Sequence, residues 1–482
     1  MDRREFLAAA LGAAAERPPN IVVVLCDDLG YGDVSLHGHP VIRTPNFDRF
    51  AAEGIRFTDC YAASPVCSPS RAGLLTGRVP DRAGLFNWVP MEPCAMHLRR
   101  EEVTFAKVLA GAGYKTCLSG KWHLNGVLGP GNTQPDPGDH GFQHWFATGA
   151  WATPSQHNPD NFVRNGKPCG PIPGYSSTII VDEALGWLDR VGTATPFCLM
   201  VAFHAPHEPI ASADRYRRLY AGRPHRRGED EYFANVTELD AEFGRLLEYL
   251  DRHRLRDNTL VVFTSDNGPE TLNRHPDAWR SYGSAGGLRS MKLSLYEGGY
   301  RVPGAIRWPG RIRAGQVSHE PVSSVDFLPT FCAAAGVPPP RRRLDGVSLL
   351  PLFGGAAVRR EVPLHWHYYN ALDRPKAALR DGDWKLLGIP AHPCPRAAGG
   401  FIAREDLDYI FSPELKEFEL YHLASDPGER KNLAPAEPAR LRSLSGRLAD
   451  LHREVVAEAP RWEFPSERTR AAIPLSRQRL WQ

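Results

Sequence analysis

The 482-residue chain has no apolar run near the ~20 residues that a membrane-spanning helix needs, so no stable membrane span is expected. It has no strong charge of either sign: 58 Lys and Arg face 55 Asp and Glu, a net of +3. So close a balance removes any global electrostatic argument for a nucleic-acid partner. The nine cysteines are scattered, with no Cys-x-x-Cys pair of the zinc or redox kind. Their odd number leaves at least one outside any intramolecular disulfide, and Cys67 is the candidate. No internal repeat is evident. At this length the chain can bury a large core and divide into two or more domains.

What is present is a series of strand exits that carry chemistry. The β-branched run Ile21-Val22-Val23-Val24-Leu25 reads as a strand buried on both faces. It runs into Asp27 and Asp28, at the usual ligand position of an α/β sheet. Successive strand side chains point oppositely, so the two carboxylates converge only if the strand has already become a loop. Paired there, they suit a hard divalent cation bound through oxygen. A polar strand exit with a helix cap fits the dipeptide as well.

Cys67-Ser68-Pro69-Ser70-Arg71 reads as a helix start, with Ser68 as N-cap, Pro69 at the first helical position and Gly77 as the stop. Cys67 then lies at the positive end of a helix dipole, where a reactive thiolate or a bound anion is stabilised. Arg71, one turn on, can reach back toward it. A buried structural cysteine beside a capped helix fits the same residues.

Further along, a strand over 114–118 leads to Gly120-Lys121-Trp122-His123-Leu124. In an extended segment Lys121 and His123 face the same way. A cation and an imidazole together suit binding and protonating an anionic ester; a solvated lysine beside a core histidine is the plainer alternative. A strand over 196–203 delivers His204-Ala205-Pro206-His207-Glu208-Pro209, and one over 259–264 delivers Ser265-Asp266-Asn267-Gly268, itself also an ordinary turn sequence. Helices are expected from Pro45 to about Glu53, with Thr44 as cap, and over 101–112, 177–191 and 231–252. Residues 125–177 read as an irregular, function-bearing insertion, in which Asp139 to Phe142 and His144 to Phe146 either contact substrate or pack. A Pro- and Arg-rich stretch over 336–343 reads as a boundary. Short strands follow over 362–369, 376–380, 383–388 and 418–423, with a closing helix over 441–456.

Together these motifs resemble the type I sulfatases, formylglycine-dependent, arylsulfatase-like enzymes of the alkaline phosphatase superfamily. The likeness runs over roughly residues 19–455 and includes Asp-Asp-x-Gly-Tyr-Gly-Asp, Cys-x-Pro-Ser-Arg, Gly-Lys-Trp-His-Leu, Pro-His-x-Pro, Ser-Asp-Asn-Gly and Glu-Gly-Gly-x-Arg-Val-Pro. The resemblance implies an α/β fold: a large mixed β-sheet flanked by helices, with a smaller C-terminal antiparallel sheet plus helix. It divides the chain into a catalytic domain at 17–340 and a smaller α+β domain at 341–482. It implies that a separate maturation enzyme oxidises Cys67 to formylglycine, whose hydrate is the nucleophile on sulfur. It assigns Cys67, Arg71, Lys121, His123, His207 and Lys292 to catalysis. It assigns Asp27, Asp28, residue 67, Asp266 and Asn267 to the metal, with Ca²⁺ first and Mg²⁺ as the alternative. His207 falls in the matching motif; His204 does not and is assigned to packing. Arg301 is assigned to structure.

The implied reaction is sulfate ester hydrolysis on a sulfated glycan or small molecule. A phosphodiesterase or phosphonate monoester hydrolase on the same scaffold is the alternative, and a non-catalytic glycan-binding relative a second. Residues 1–16, with Arg3-Arg4, a short apolar stretch and small residues to Ala15, resemble a bacterial twin-arginine export signal. A helical tail is the other reading. Export implies a periplasmic or extracellular location, and that route carries folded proteins, so maturation of Cys67 can precede it.

Overall fold

The computed structural model describes residues 17–91, 94–223, 226–392 and 402–464. The export signal expected at residues 1–16 lies outside them. The β-branched run becomes the central strand Asn20–Asp27, buried along its whole length. Parallel strands flank it on both sides, Phe197–Pro206 and Thr259–Ser265, and both are buried throughout. Burial on both faces is why these segments read as continuous apolar runs without alternation.

Ile21, Val23 and Leu25 point into one apolar layer and Val22, Val24 and Cys26 into the other. The first layer is completed by the helices Cys67–Thr76, Phe105–Gly111 and Phe327–Ala335, through Leu74, Leu75, Phe105, Leu109, Leu328 and Phe331. The second is completed by Pro45–Ala52, Ser176–Val191 and Glu229–Arg252. The result is a helix–sheet–helix sandwich. Lys115–Lys121 and then His144–Thr148 extend the sheet in parallel beyond Phe197–Pro206, while Gly304–Arg307 runs antiparallel beside Thr259–Ser265. The ten-stranded sheet is therefore mixed.

A second sheet of four strands, Leu364–His367, Ala377–Asp381, Trp384–Ile389 and Glu417–His422, is antiparallel throughout. The closing helix Pro438–Glu458 covers one face of it, packing Leu444, Leu448 and Leu451 on Leu379, Leu386 and Leu420. The other face joins the apolar layer around the Cys67 helix through Trp366, Ala378 and Leu387. The Trp366 indole N–H donates to the Ala62 carbonyl at 2.9 Å. The expected α/β architecture with a small C-terminal sheet is the observed one.

Local differences have local causes. The helix expected over 101–112 spans only Phe105–Gly111, because Thr104 caps it by accepting the Lys107 N–H at 3.1 Å. Glu102 instead pairs with Arg78 and Arg342 at 2.8 and 2.7 Å. The 125–177 insertion is not wholly irregular. His144–Thr148 is a sheet strand with Trp145 and Phe146 buried, and Val163–Arg164 with Lys167–Pro168 makes a hairpin. His140 is fully buried, its ring donating to the Leu98 carbonyl at 3.1 Å. His140, Phe142, Trp145 and Phe146 therefore pack and do not face substrate. No disulfide joins any two of the eight cysteines within the described residues. Among the described residues no helix is long and apolar enough to cross a membrane.

Candidate active site

Four parallel strands end at one edge of the large sheet, and each end carries a polar side chain. Asn20–Asp27 ends at Asp27; Asp28 follows with φ 65°. That left-handed backbone is tolerated by Asp better than by most residues, and it turns the second carboxylate toward the first. Thr259–Ser265 ends just before Asp266 and Asn267, Lys115–Lys121 ends in Lys121, and Phe197–Pro206 ends just before His207.

Two glycines allow the close approaches. At Gly120, φ is 116° and a Cβ would lie 1.8 Å from the Ala202 carbonyl oxygen, so only glycine lets the two strands close where Lys121 enters. A Cβ on Gly268 would lie 2.0 Å from the Gly298 oxygen. The Glu297-Gly298-Gly299 turn thus lies directly on Asp266-Asn267-Gly268, with the Gly268 N–H donating to Gly299 at 2.8 Å.

The Cys67 helix starts earlier than expected. It begins at Cys67 itself with Val66 as N-cap, and Gly77 ends it at φ 69°. Ser68 is inside the first turn and does not cap; its hydroxyl accepts the Val89 N–H at 2.9 Å. Cys67 is 3 % exposed, and burial pushes its thiol above the ordinary value although Lys121 and Lys292 pull the other way. The unmodified side chain is therefore a protonated thiol, where the helix dipole had suggested a stabilised thiolate.

The charges around it are buried and matched, three carboxylates (Asp27, Asp28, Asp266) against three cations (Arg71, Lys121, Lys292). Lys121 Nζ meets Asp27 Oδ2 at 2.7 Å. Lys292 Nζ lies 2.7 and 2.8 Å from the Asp28 carboxylate oxygens. Arg71 uses Nε and a terminal nitrogen on Asp266 Oδ2 at 2.9 and 2.8 Å, and its other arm donates to the Lys121 carbonyl at 2.8 Å. Burial raises Asp266 to about 6, with the Asp27 charge adding to it. Asp28 stays below its ordinary value: burial works against it, but Lys292 and His207 outweigh burial. The backbone locks the frame, Lys292 N–H donating to Pro269 at 3.0 Å and Leu293 N–H to Pro65, two residues before Cys67, at 2.9 Å.

The histidines divide. His123 lies past the strand end with φ 59°, so the segment is not extended there and alternation does not explain its direction. Its ring donates from Nε2 to the Val89 carbonyl at 2.9 Å. Nδ1 is left as a buried acceptor with no hydrogen-bond partner among the described residues. His207 donates from Nδ1 to the Glu208 carbonyl, which leaves the Nε2 lone pair 3.7 Å from Asp28 Oδ2. Burial holds its ring down at about 3. His204 is in the strand, its Nε2 on Thr148 Oγ1 at 2.7 Å and its ring against Phe162.

An oxygen-binding cation fits this frame. Oxygens of Asp27 and Asp28 and a nitrogen of His207 lie within 4.8 Å of one another. Asp27 Oδ1 and Asn267 Oδ1 are buried with no hydrogen-bond partner among the described residues. Asn267 donates its amide to Asp28 Oδ1 at 2.7 Å, which turns its carbonyl oxygen free. Buried orphan oxygens are costly unless something cationic meets them.

The family model described as Sulfatase matches residues 19–337. The chain belongs to the sulfatase family. A second model, N-sulphoglucosamine sulphohydrolase, C-terminal, matches residues 290–391 of this sulfatase. Human arylsulfatase A is 36 % identical over 479 residues, covering 92 % of this chain and 89 % of the relative. Human N-acetylgalactosamine-6-sulfatase is 33 % identical over 500 residues, covering 93 % and 88 %. The crystal structure of Ps i-CgsB in complex with k-i-k-neocarrahexaose superposes with a TM-score of 0.77 at 25 % identity, covering 97 % of this chain and all of that one. This sulfatase is accordingly a sulfuric ester hydrolase.

Two contributions to the site do not follow from the sequence, the backbone role of Val89 and the place of Glu270. Val89 links His123 to Ser68 through its backbone, which no side-chain pattern reveals. Glu270, 3.6 Å from Lys292, follows the Asp266 motif by only four residues, and that spacing was the available signal.

Proposed function

We propose that this sulfatase hydrolyses sulfate esters of carbohydrates, with a nucleophile made from Cys67 and a divalent cation, Ca²⁺. Asp27, Asp28, Asp266, Asn267 and residue 67 would hold the cation. The observation that carries this reading is the pair of buried oxygens, Asp27 Oδ1 and Asn267 Oδ1, that have no hydrogen-bond partner among the described residues, the first of them 3.9 Å from an Arg71 nitrogen, beside a buried cysteine at a helix start. An all-oxygen donor set favours Ca²⁺ or Mg²⁺ over zinc. The charges agree: three carboxylates against three cations leave the frame neutral. A divalent ion then matches one ester negative charge and one ionised nucleophile.

When bound, the cation lowers the nucleophile's pKa and stabilises charge on the transferring group. The hydrated formylglycine supplies two hydroxyls on one carbon, one to attack sulfur and one to expel sulfate. The chain's own residues do the remainder. Lys121 and Lys292 present N–H donors to the sulfate oxygens in every state. His207 joins them as a donor only when protonated, since its Nδ1–H is committed to Glu208. One of these three protonates the leaving alcohol. His123 Nδ1, buried and free, accepts the proton of the hydroxyl that expels sulfate. Arg71 holds Asp266 and the Lys121 backbone in register.

The saccharide class is supported by relatives named for N-acetylgalactosamine 6-sulfate and by Trp151, whose ring lies parallel to His207 with centroids 6.3 Å apart, a flat apolar face beside the sulfate position. Residues 17–340 would be the catalytic domain and 341–482 the smaller one, in a protein exported to the periplasm or beyond after a maturation enzyme has acted.

Peptide mass spectrometry across residue 67, metal analysis and rates on paired sulfate and phosphate esters test this. Active protein should carry an aldehyde at residue 67 and calcium, and should prefer sulfate. Full activity from wholly unmodified Cys67, or stoichiometric zinc alone, would overturn it.

A further inference from the structure

Lys292 keeps its charge on a side chain only 4 % exposed. Two carboxylates face it: Asp28 at 2.7 and 2.8 Å, and Glu270 at 3.6 Å. Asp28 has other claims on it, from the Asn267 amide at 2.7 Å and the His207 ring at 3.7 Å. In the reading above it also serves a divalent cation.

Glu270 is engaged from its own loop, where His275 Nε2 lies 3.7 Å from Oε2. Its carboxylate is 6 % exposed and held rigidly: Arg274 forks onto both oxygens at 2.7 Å each, and the Thr271 N–H donates to Oε1 at 2.8 Å. Oε2 of Glu270 is the oxygen nearer the lysine, 3.6 Å from its Nζ. The residue just before it, Pro269, accepts the Lys292 backbone N–H at 3.0 Å, so one loop fixes both the main chain and the head group of the lysine. Burial alone drives an ammonium toward its neutral form, and Asp28 and Glu270 together hold Lys292 well above its ordinary value. Burial pushes Glu270 the other way, and Lys292 and Arg274 keep it well below the usual carboxylate range.

We infer that Glu270 is a positioning residue for sulfate binding: from 3.6 Å it steers the Lys292 ammonium so that one N–H stays directed at a sulfate oxygen. An ammonium has three N–H bonds. The two Asp28 oxygens, at 2.7 and 2.8 Å, engage at most two of them, and at 3.6 Å Glu270 acts by charge and not by a hydrogen bond, so it orients the group without consuming the donor that remains. The inference rests on the assignment of Lys292 to the sulfate.

The test uses matured, metal-replete enzyme and inorganic sulfate as the probe. Affinity for sulfate is measured by calorimetry, alongside KM, kcat and metal content. Glu270→Gln keeps the shape and the Thr271 contact but removes the charge. It should weaken sulfate binding about tenfold, as expected for a lost charged contact, and raise KM by a similar factor with metal content unchanged. Glu270→Asp should recover part of the loss, and Arg274→Met, which frees the carboxylate, should lose an intermediate amount. Lys292→Met separates the two ways of failing. Sulfate affinity lost in Lys292→Met but kept in Glu270→Gln would remove the role of Glu270. Affinity kept in both would remove that of Lys292, and the inference with it.

Discussion

His123 donates its Nε2–H to the carbonyl of Val89 across 2.9 Å, and that bond decides which ring nitrogen is available for chemistry. A carbonyl only accepts, so Nδ1 must hold the lone pair. The Val89 N–H donates in turn to Ser68, next to Cys67, at 2.9 Å. The imidazole and the start of the Cys67 helix are thus indexed to one peptide unit.

His123→Ala should therefore lower kcat by about 10²- to 10⁴-fold, the usual worth of a positioned base, while sulfate affinity and the state of residue 67 stay as in the parent. Burst kinetics and peptide mass spectrometry on the same sample check this. An unchanged kcat would remove His123 from the proton path.

Gly120→Ala should fail structurally. Its Cβ would stand 1.8 Å from a backbone oxygen of the neighbouring strand, and φ is 116°. Neither atom can move without opening the sheet beneath Lys121, so a loss of about 3 kcal/mol or more is expected. Urea unfolding of the variant beside the parent measures it; a loss under about 1 kcal/mol would contradict the described strand contact.

The third expectation concerns acid. Three imidazoles form a buried chain between the small sheet and the closing helix: His365 to His367 at 3.0 Å and His367 to His452 at 2.8 Å. Asp345 lies 3.4 Å from His365, and Arg82 and Lys376 are the nearby cations. Burial, then Lys376, holds His452 down at about 3; burial, then His452, holds His367 well below its ordinary value. Both folded values are depressed, so their contribution to stability is present above the unfolded value of about 6.5 and drains away as pH falls toward the folded one. Asp33 and Glu238, raised by burial to about 7, act in the opposite sense and favour the folded state in acid. The informative quantity is therefore the difference between variant and parent. His452→Gln should flatten the decline in urea midpoint between about pH 6.5 and pH 4. An identical decline in both proteins would show that His452 takes no part.

The fold was legible where burial writes directly into composition. Val22 to Val24 and Leu260 to Phe263 are buried on both faces and so leave apolar runs. The strand His144–Thr148 was not legible, since its five residues place aromatics on both faces and show neither alternation nor a β-branched run. The start of the Cys67 helix was misplaced because its cap, Val66, has no side chain that can cap, whereas Ser68 does and uses it on Val89. In the site, Asp27, Lys121 and Asp266 could be read from their positions at strand ends. Glu270 could not, because what it does is set by Lys292, a neighbour in space that lies in another loop.

Trp366 closes over the segment that leads into Cys67 by bonding to Ala62, a residue 304 positions earlier. A ribosome adding about 5 to 20 residues per second needs roughly 15 to 60 seconds to cover that distance. For that interval the Ala62 carbonyl lacks this partner; in the folded chain 3 % of Cys67 is left in contact with solvent. Under the proposed conversion of Cys67, an oxidising enzyme would meet this side chain on the growing or newly released chain. The 304-residue separation between Ala62 and Trp366 would then set how long the segment before residue 67 waits for its last partner.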